Sequence, residues 1–254
     1  MRACVVHKPD SKDIAKEVVE FLGEMGVESR IIDDWSDAVD YDFIVSVGGD
    51  GTILRLLQFI RERTPPIFGI NTGKIGLLTH CDVNFREALR RALRDFETES
   101  FMRIECRIDG ERLLALNEIA VLTAKPAKMI GVEIKANGTT IEDMRCDGML
   151  FSTPIGSTAY ALSTGGPIVD PRLDAILIVP VAPFKLGWKP WVVDVSRSVE
   201  VRVSSEAFVV ADGHGIARAN EESELRIGKS SADAVFFKFE NRLARIVEKL
   251  RMIR

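Results

Sequence analysis

The chain has 254 residues, 46% of them hydrophobic, with 34 Lys and Arg against 38 Asp and Glu for a formal charge of -4. That length and apolar content suit one large or two modest packed domains, and the charge balance gives no reason to expect a nucleic acid or an anionic membrane as partner. Four cysteines without paired short spacing and only three histidines offer no sequence-local zinc cluster, and with no apolar run of membrane-spanning length the expected setting is reducing and cytoplasmic.

Ala3 to His7 reads as a strand, followed from Ser11 by a helix with Ile14, Val18, Phe21, Leu22 and Met25 on one face and Gly26 at its end. Val27 to Ile32, Phe43 to Val47 and Ile67 to Ile70 supply further strands, and Thr52 to Arg63 and Asn84 to Phe96 supply helices, with Pro65-Pro66 closing the first of these. Residues 1–98 are therefore expected to form an α/β, Rossmann-like sheet covered by helices, with its ligand at the carboxyl ends of the strands. The basic stretch from Arg86 to Arg94 carries apolar residues at helical spacing, which marks a solvated helix face rather than a binding patch.

From about Glu99 the period becomes strand-like. Ile104 to Ile108, Leu113 to Thr123, Gly131 to Ala136 and Thr139 to Arg145 are candidate strands, with Asn137-Gly138 as a hairpin turn. Short runs at Ala175 to Val179, Val192 to Val195, Val199 to Val203, Ala207 to Ala211 and Val235 to Phe239 continue the pattern, so residues 99–239 are expected to be an all-β sandwich. The amphipathic segment 240–254, with Leu243, Ile246, Val247, Leu250 and Ile253, is expected to pack as a helix on the first domain.

The chemistry starts at Gly48-Gly49-Asp50-Gly51-Thr52, where an acidic residue stands in a glycine loop between a strand and a helix. Free backbone N–H groups at such a junction attract phosphate, which a carboxylate repels. Asp50 therefore needs a reason to be there: accepting a proton from an attacking hydroxyl, or helping to place Mg²⁺. The bland alternative is a tight turn capped by Asp50. Two better-known nucleotide loops do not fit: Leu54 replaces the third glycine of G-x-G-x-x-G, and Gly73-Lys74 is followed by Ile75 rather than Ser or Thr.

Asn117-Glu118 sets an amide and a carboxylate within an apolar run, where burial demands either protein donors or a ligand rich in hydroxyls and amines. The alternative is a strand end bonded to backbone. Arg145-Cys146-Asp147-Gly148 and the Ser152 to Pro167 stretch add small hydroxyl residues and glycines, which allow close approach to a flat or polyhydroxylated ligand and are equally the composition of an ordinary loop.

Taken in order, Gly48-Gly49-Asp50-Gly51-Thr52, Asn71-Thr72-Gly73, Asn117-Glu118, Asp147-Gly148 and Thr153-Pro154-Ile155-Gly156-Ser157-Thr158-Ala159-Tyr160 resemble the motifs of the NAD kinase family along nearly the whole chain. The first motif is shared with lipid kinases of the diacylglycerol type; the long run and the Asn-Glu pair carry the narrower resemblance. It implies Mg²⁺-dependent phosphoryl transfer from ATP or polyphosphate to the 2'-hydroxyl of the adenosine ribose of NAD, an α/β domain followed by a β-sandwich, and a homodimer or homotetramer. It also implies Asp50 as the base, Gly48, Gly49, Gly51 and Thr52 at the donor phosphates, and Asn117 and Glu118 at the adenosine half of NAD. Lys128, Arg145, Asp147, Thr158, Ala159, Tyr160, Ala161, Leu162, Ser163 and Ala182 fall at positions lining the NAD site, and Asp50, Gly51, Arg55 and His214 are added to the NAD contacts, Arg55 as a phosphate contact. His214 stands where relatives often have Gln, and Leu77 where many have Phe. Two rivals stay in view: a lipid kinase sharing the glycine loop, and a dinucleotide sensor without catalysis.

Overall fold

The computed structural model describes residues 1–253, with side chains to 251; the side chains of Met252 and Ile253 and all of Arg254 lie outside the described residues. The chain divides into two compact units, Met1–Ser100 with Ala232–Arg254, and Phe101–Ser231.

The first unit begins with β1 (Arg2–His7), α1 (Lys12–Glu24), β2 (Glu28–Ile31), β3 (Phe43–Gly48), α2 (Asp50–Phe59), β4 (Ile67–Asn71), α3 (Arg86–Asp95) and β5 (Thr98–Phe101). The β-branched run of β3 is buried at every position, as expected of a central parallel strand. α1 and α3 pack Val18, Phe21, Leu22, Leu89 and Leu93 against Val5, Val45, Phe68 and Ile70 of the sheet. The register pairs Gly48 with Asn71, so the glycine loop and the Asn71 turn leave neighbouring strands at the same end.

The second unit contains β6 (Ile104–Ile108), β7 (Glu111–Ala115), β8 (Glu118–Thr123), β9 (Ile130–Ala136), β10 (Thr139–Cys146), β11 (Gly148–Ser152), the short α4 (Tyr160–Ser163), β12 (Ala175–Val181), β13 (Trp191–Asp194), β14 (Val199–Val203), β15 (Ala207–Ala211), β16 (Gly215–Ala219) and β17 (Leu225–Lys229). One antiparallel sheet has the order β10-β9-β14-β17-β6-β7 and the other β13-β12-β11-β8-β15-β16. Inward residues of both, among them Cys106, Ile134 and Val201 from the first and Val121, Phe151 and Ile178 from the second, share one core.

The chain then returns to the first unit with β18 (Ala234–Phe237) and α5 (Arg242–Ile253). The first sheet has the order β2-β1-β3-β4-β18-β5, with β18 parallel to β4.

Several expectations need correction. Val235 to Phe239 was expected in the sandwich, and the compact second unit ends at Ser231 instead of 239. Phe236 and Phe237 are wholly apolar and buried, which suits an inner strand of the parallel sheet. The expected single strand from Leu113 to Thr123 is two, because the chain crosses from one sheet to the other at Leu116 and Asn117. The helix expected from Thr52 to Arg63 starts at Asp50 and stops at Phe59. Negative charge is favoured in the first turn, and Ile60 adopts ψ 67°, outside the helical region. In α5, Ile246 is buried and Leu250 half-buried, whereas Leu243 and Val247 are exposed, so the apolar stripe faces the body of the unit only in part.

Candidate active site

Two sets of candidate groups stand out, one in each unit. In the first unit, Gly49 precedes α2 in extended conformation, its N–H donates to the Thr52 hydroxyl at 3.3 Å, and the Thr52 N–H returns to the Gly49 carbonyl at 3.0 Å. Thr52 thereby fastens the loop from the third helical position. A Cβ on Gly48 would sit 2.1 Å from that same hydroxyl, so any side chain at 48 would collide with the group that closes the turn. Asp50 is the first residue of α2, and its carboxylate accepts two backbone N–H groups, from Leu77 to Oδ2 and Leu78 to Oδ1, both at 2.8 Å. Each oxygen keeps lone-pair capacity for a further donor. The turn beyond β4 is built by Asn71, whose amide nitrogen donates to the Gly73 carbonyl and to Asp82, and whose oxygen accepts the Gly73 N–H. The Thr72 N–H reaches the Gly48 carbonyl at 2.7 Å and ties the two turns together. Arg55 is exposed on α2, with its guanidinium 5.2 Å from the ring centre of Trp35.

In the second unit, the crossing from β7 to β8 is held from two sides. Asp212, on the turn after β15, accepts the N–H groups of Leu116, Asn117 and Glu118 at 2.7, 2.8 and 3.1 Å. From the other side the Thr153 N–H donates to the Asn117 carbonyl at 2.9 Å, and the Ser152 and Thr153 hydroxyls donate to the Asn117 and Leu116 carbonyls. The backbone of the Asn-Glu pair is thus satisfied by protein, and its side chains are released for another use. Gly156 lies against this crossing so closely that a Cβ would fall 2.1 Å from the Asn117 carbonyl oxygen.

Glu118 Oε2 is buried without a hydrogen-bond partner. Burial pushes its carboxyl up to about 8; the nearby Asp212 adds to the shift and the Tyr160 backbone opposes it. Glu118 therefore carries a proton at neutral pH and can donate as well as accept. Asp212 is pushed up to about 6, chiefly by burial, against the three amides and the charge of Arg103. Its backbone sits at φ 49°, the left-handed region, just before Gly213.

Around this crossing the structure gathers many of the expected NAD-site positions. Thr158, Ala159 and the turn of α4 with Tyr160, Ala161, Leu162 and Ser163 follow Gly156 directly, and the Glu118 carboxyl senses the Tyr160 backbone. His214 is exposed on the turn that carries Asp212, its N–H bonded to the Ala211 carbonyl. Arg145, Asp147 and Ala182 meet at the second crossing, from β10 to β11: the Asp147 N–H bonds to Val181, the Phe184 N–H bonds to Arg145, and the Arg145 guanidinium lies 6.0 Å from the Phe184 ring centre. Ala182 is held at φ 46°, uncommon for a residue with a side chain. Lys128 is exposed in a turn anchored there through Thr123, which receives the Lys125 N–H and donates its own to Asp147.

Reading the sequence missed Asp212. The Asp212-Gly213 dipeptide marks a turn, but nothing local tells that its carboxylate gathers amides 95 residues away. The amides of Leu77 and Leu78 were missed because backbone donors leave no signature in residue type.

Comparison with known proteins bears on these geometries. Residues 32–99 match the ATP-NAD kinase N-terminal domain and residues 116–239 the ATP-NAD kinase C-terminal domain. The chain is 48% identical to an NAD kinase of Archaeoglobus fulgidus over 100% of both chains, and 38% identical to one of Methanosarcina acetivorans over 91% of this chain and 81% of that one. A crystal structure of an NAD kinase from Archaeoglobus fulgidus in complex with ATP superposes with a TM-score of 0.93 at 47% identity, covering 100% of each chain. A yeast NADH kinase complexed with NADH shares the fold at a TM-score of 0.87 and 20% identity, over 100% of this chain and 88% of that one. With both family domains matched and full-length identity near one half, the chain belongs to the NAD kinase family and is an enzyme of that activity.

Proposed function

We propose that the protein transfers the γ-phosphoryl group of ATP to the 2'-hydroxyl of the adenosine ribose of NAD, with Asp50 as general base. The observation carrying this reading is the Asp50 carboxylate, fixed at the start of α2 by two amides with capacity left for a hydroxyl donor. The hydroxyl oxygen forms the new bond to phosphorus, the bond from phosphorus to the bridging oxygen breaks, ADP leaves, and the hydroxyl proton passes to Asp50. In the loose transition state of such transfers, orienting the nucleophile matters more than early deprotonation, so the fixed position of the carboxylate is its main contribution.

Backbone N–H groups at the start of α2 receive the donor phosphates beside Gly48, Gly49, Gly51 and Thr52. The acceptor's adenosine half is held by Asn117 and the neutral Glu118, whose one donor and remaining acceptor capacity suit a ribose or an adenine edge. Mg²⁺ would enter with the donor, as part of the substrate, and would offset the charge of its phosphates. That the ATP complex superposes on the whole chain supports ATP over polyphosphate as donor. Cytoplasmic location and a homo-oligomeric assembly belong to the same proposal; no helix among the described residues is long and apolar enough to cross a membrane.

The test incubates the protein with NAD, Mg²⁺ and either ATP or polyphosphate and reads NADP with an NADP-specific dehydrogenase. NADP formed with ATP is expected. Phosphorylation of a lipid but not of NAD would restore the lipid-kinase reading, and tight NAD binding with no product from either donor would favour the sensor.

A further inference from the structure

The two amides that hold Asp50 belong to the turn at residues 76–80. Its interior is occupied by a side chain from the far end of the sequence. Arg245 of α5 donates through Nε to the Gly76 carbonyl at 3.1 Å, and through its two terminal nitrogens to the His80 carbonyl at 2.6 Å and the Thr79 hydroxyl at 3.1 Å. Gly76, at φ 72°, packs so tightly that a Cβ would meet the Thr79 hydroxyl at 2.5 Å and the Asn71 amide carbon at 2.7 Å.

The far end of the turn is fixed by His80. Its Nδ1 accepts the Gly69 N–H at 3.0 Å, its Nε2 donates to the Phe237 carbonyl at 2.8 Å, and its ring stacks between Phe68 and Phe239 at 4.6 and 4.1 Å. Burial holds this ring neutral, with a pKa pushed down to about 3, as one accepting and one donating nitrogen require. Leu77 and Leu78, the donors to Asp50, thus lie on a short span whose two ends share one guanidinium.

We propose that Arg245 is a positioning residue for Asp50, its three hydrogen bonds setting the turn that aims the Leu77 and Leu78 amides at the carboxylate. This rests on the reading of Asp50 as the base. All three acceptors are neutral, so the arginine's value here is its planar fork, and a lysine ammonium, a single compact donor head, does not reproduce three directions at once. Without the fork the turn gains freedom, the carboxylate loses its fixed aim, and transfer slows while substrates bind through groups elsewhere.

The experiment measures kcat and KM for NAD and ATP in Arg245→Ala and Arg245→Lys, each alone and combined with Asp50→Asn. The expected result is a kcat lower by about 100-fold in Arg245→Ala, the scale of a nucleophile or base misplaced by about an ångström, with both KM values within about threefold of wild type. Arg245→Lys should be nearly as slow, and added methylguanidinium should restore part of the rate to the alanine variant only. In the Asp50→Asn background, removing Arg245 should cost little more, because the two act as a unit.

Wild-type kcat in Arg245→Lys, or an equal further loss when either arginine variant is added to Asp50→Asn, would overturn the proposal. Should the alanine variant not fold, the lysine variant alone carries both comparisons. Normal turnover in Asp50→Asn would instead sink the base reading, a result distinct from failure of the arginine.

Discussion

Glu118 and Asp212 show how burial, rather than residue type, sets what a carboxyl does. Glu118 is raised from 4.5 to about 8, so the folded state holds a proton that the unfolded chain releases across that interval. The associated stability is complete below about pH 4.5 and is lost as pH rises through about 8. Replacing Glu118 by Gln, a neutral isostere, should flatten that part of the profile; urea denaturation at several pH values reads it, and an unchanged slope would mean that Glu118 is ionised when folded. For Asp212 we expect Asp212→Ala to destabilise by about 3 kcal/mol, since three buried amides lose their acceptor and Arg103 loses a compensating charge. The same titrations in urea check it, and a loss below about 1 kcal/mol would show that water replaces the carboxylate. The Asn117-Glu118 pair was legible in the sequence because polar residues interrupt an apolar run. Asp212 was not, because its partners come from a distant strand and are backbone groups.

At the scale of elements, the candidate site of the second unit lies at a seam where two strands change sheets. Both motif pairs, Asn117-Glu118 and Asp147-Gly148, sit at such crossings, β7 to β8 and β10 to β11. A crossing breaks the sheet's hydrogen-bond ladder and must find other partners; here Asp212, Ser152 and Thr153 supply them for the first. The stretch at 152–158 is therefore part of the architecture, and its glycine is a contact requirement: Gly156→Ala should push against the Asn117 carbonyl. At about 1–3 kcal/mol for an overpacked methyl, the variant is expected to unfold at lower urea than wild type, and wild-type stability would show that the crossing can give way. Alternating and β-branched runs made most strands legible, including β3 and β15. The split between β7 and β8 was hidden because the runs on both sides of Asn117-Glu118 are apolar and no Gly or Pro separates them. The assignment of β18 to the first sheet was hidden because strand pattern carries no record of which sheet receives it.

For the molecule as a whole, composition pointed to a packed core, and the burial of the thiols extends that argument. Cys4, Cys106 and Cys146 are buried and Cys81 is partly so, and none is in a disulfide. Burial pushes Cys4, Cys81 and Cys106 up to about 12 and Cys146 up to about 11, so thiolate is scarce at neutral pH. Ellman's reagent should therefore react slowly with the native protein and promptly with four thiols in denaturant; fast reaction of a thiol in the native state would mean that its surroundings open readily. The order of motifs along the chain identified the family, while the fastening of each motif, by Asp212, by the amides of residues 77 and 78 and by Arg245, appeared only in three dimensions. In the proposed reaction the carboxylate held by those two amides takes the proton of the acceptor hydroxyl. Steady-state NADP formation from NAD and ATP with Mg²⁺, measured for wild type and Asp50→Asn beside calorimetric NAD binding, tests it most directly. Unchanged binding with turnover lower by at least about 100-fold in the variant is expected; near-normal turnover would exclude Asp50 as the base.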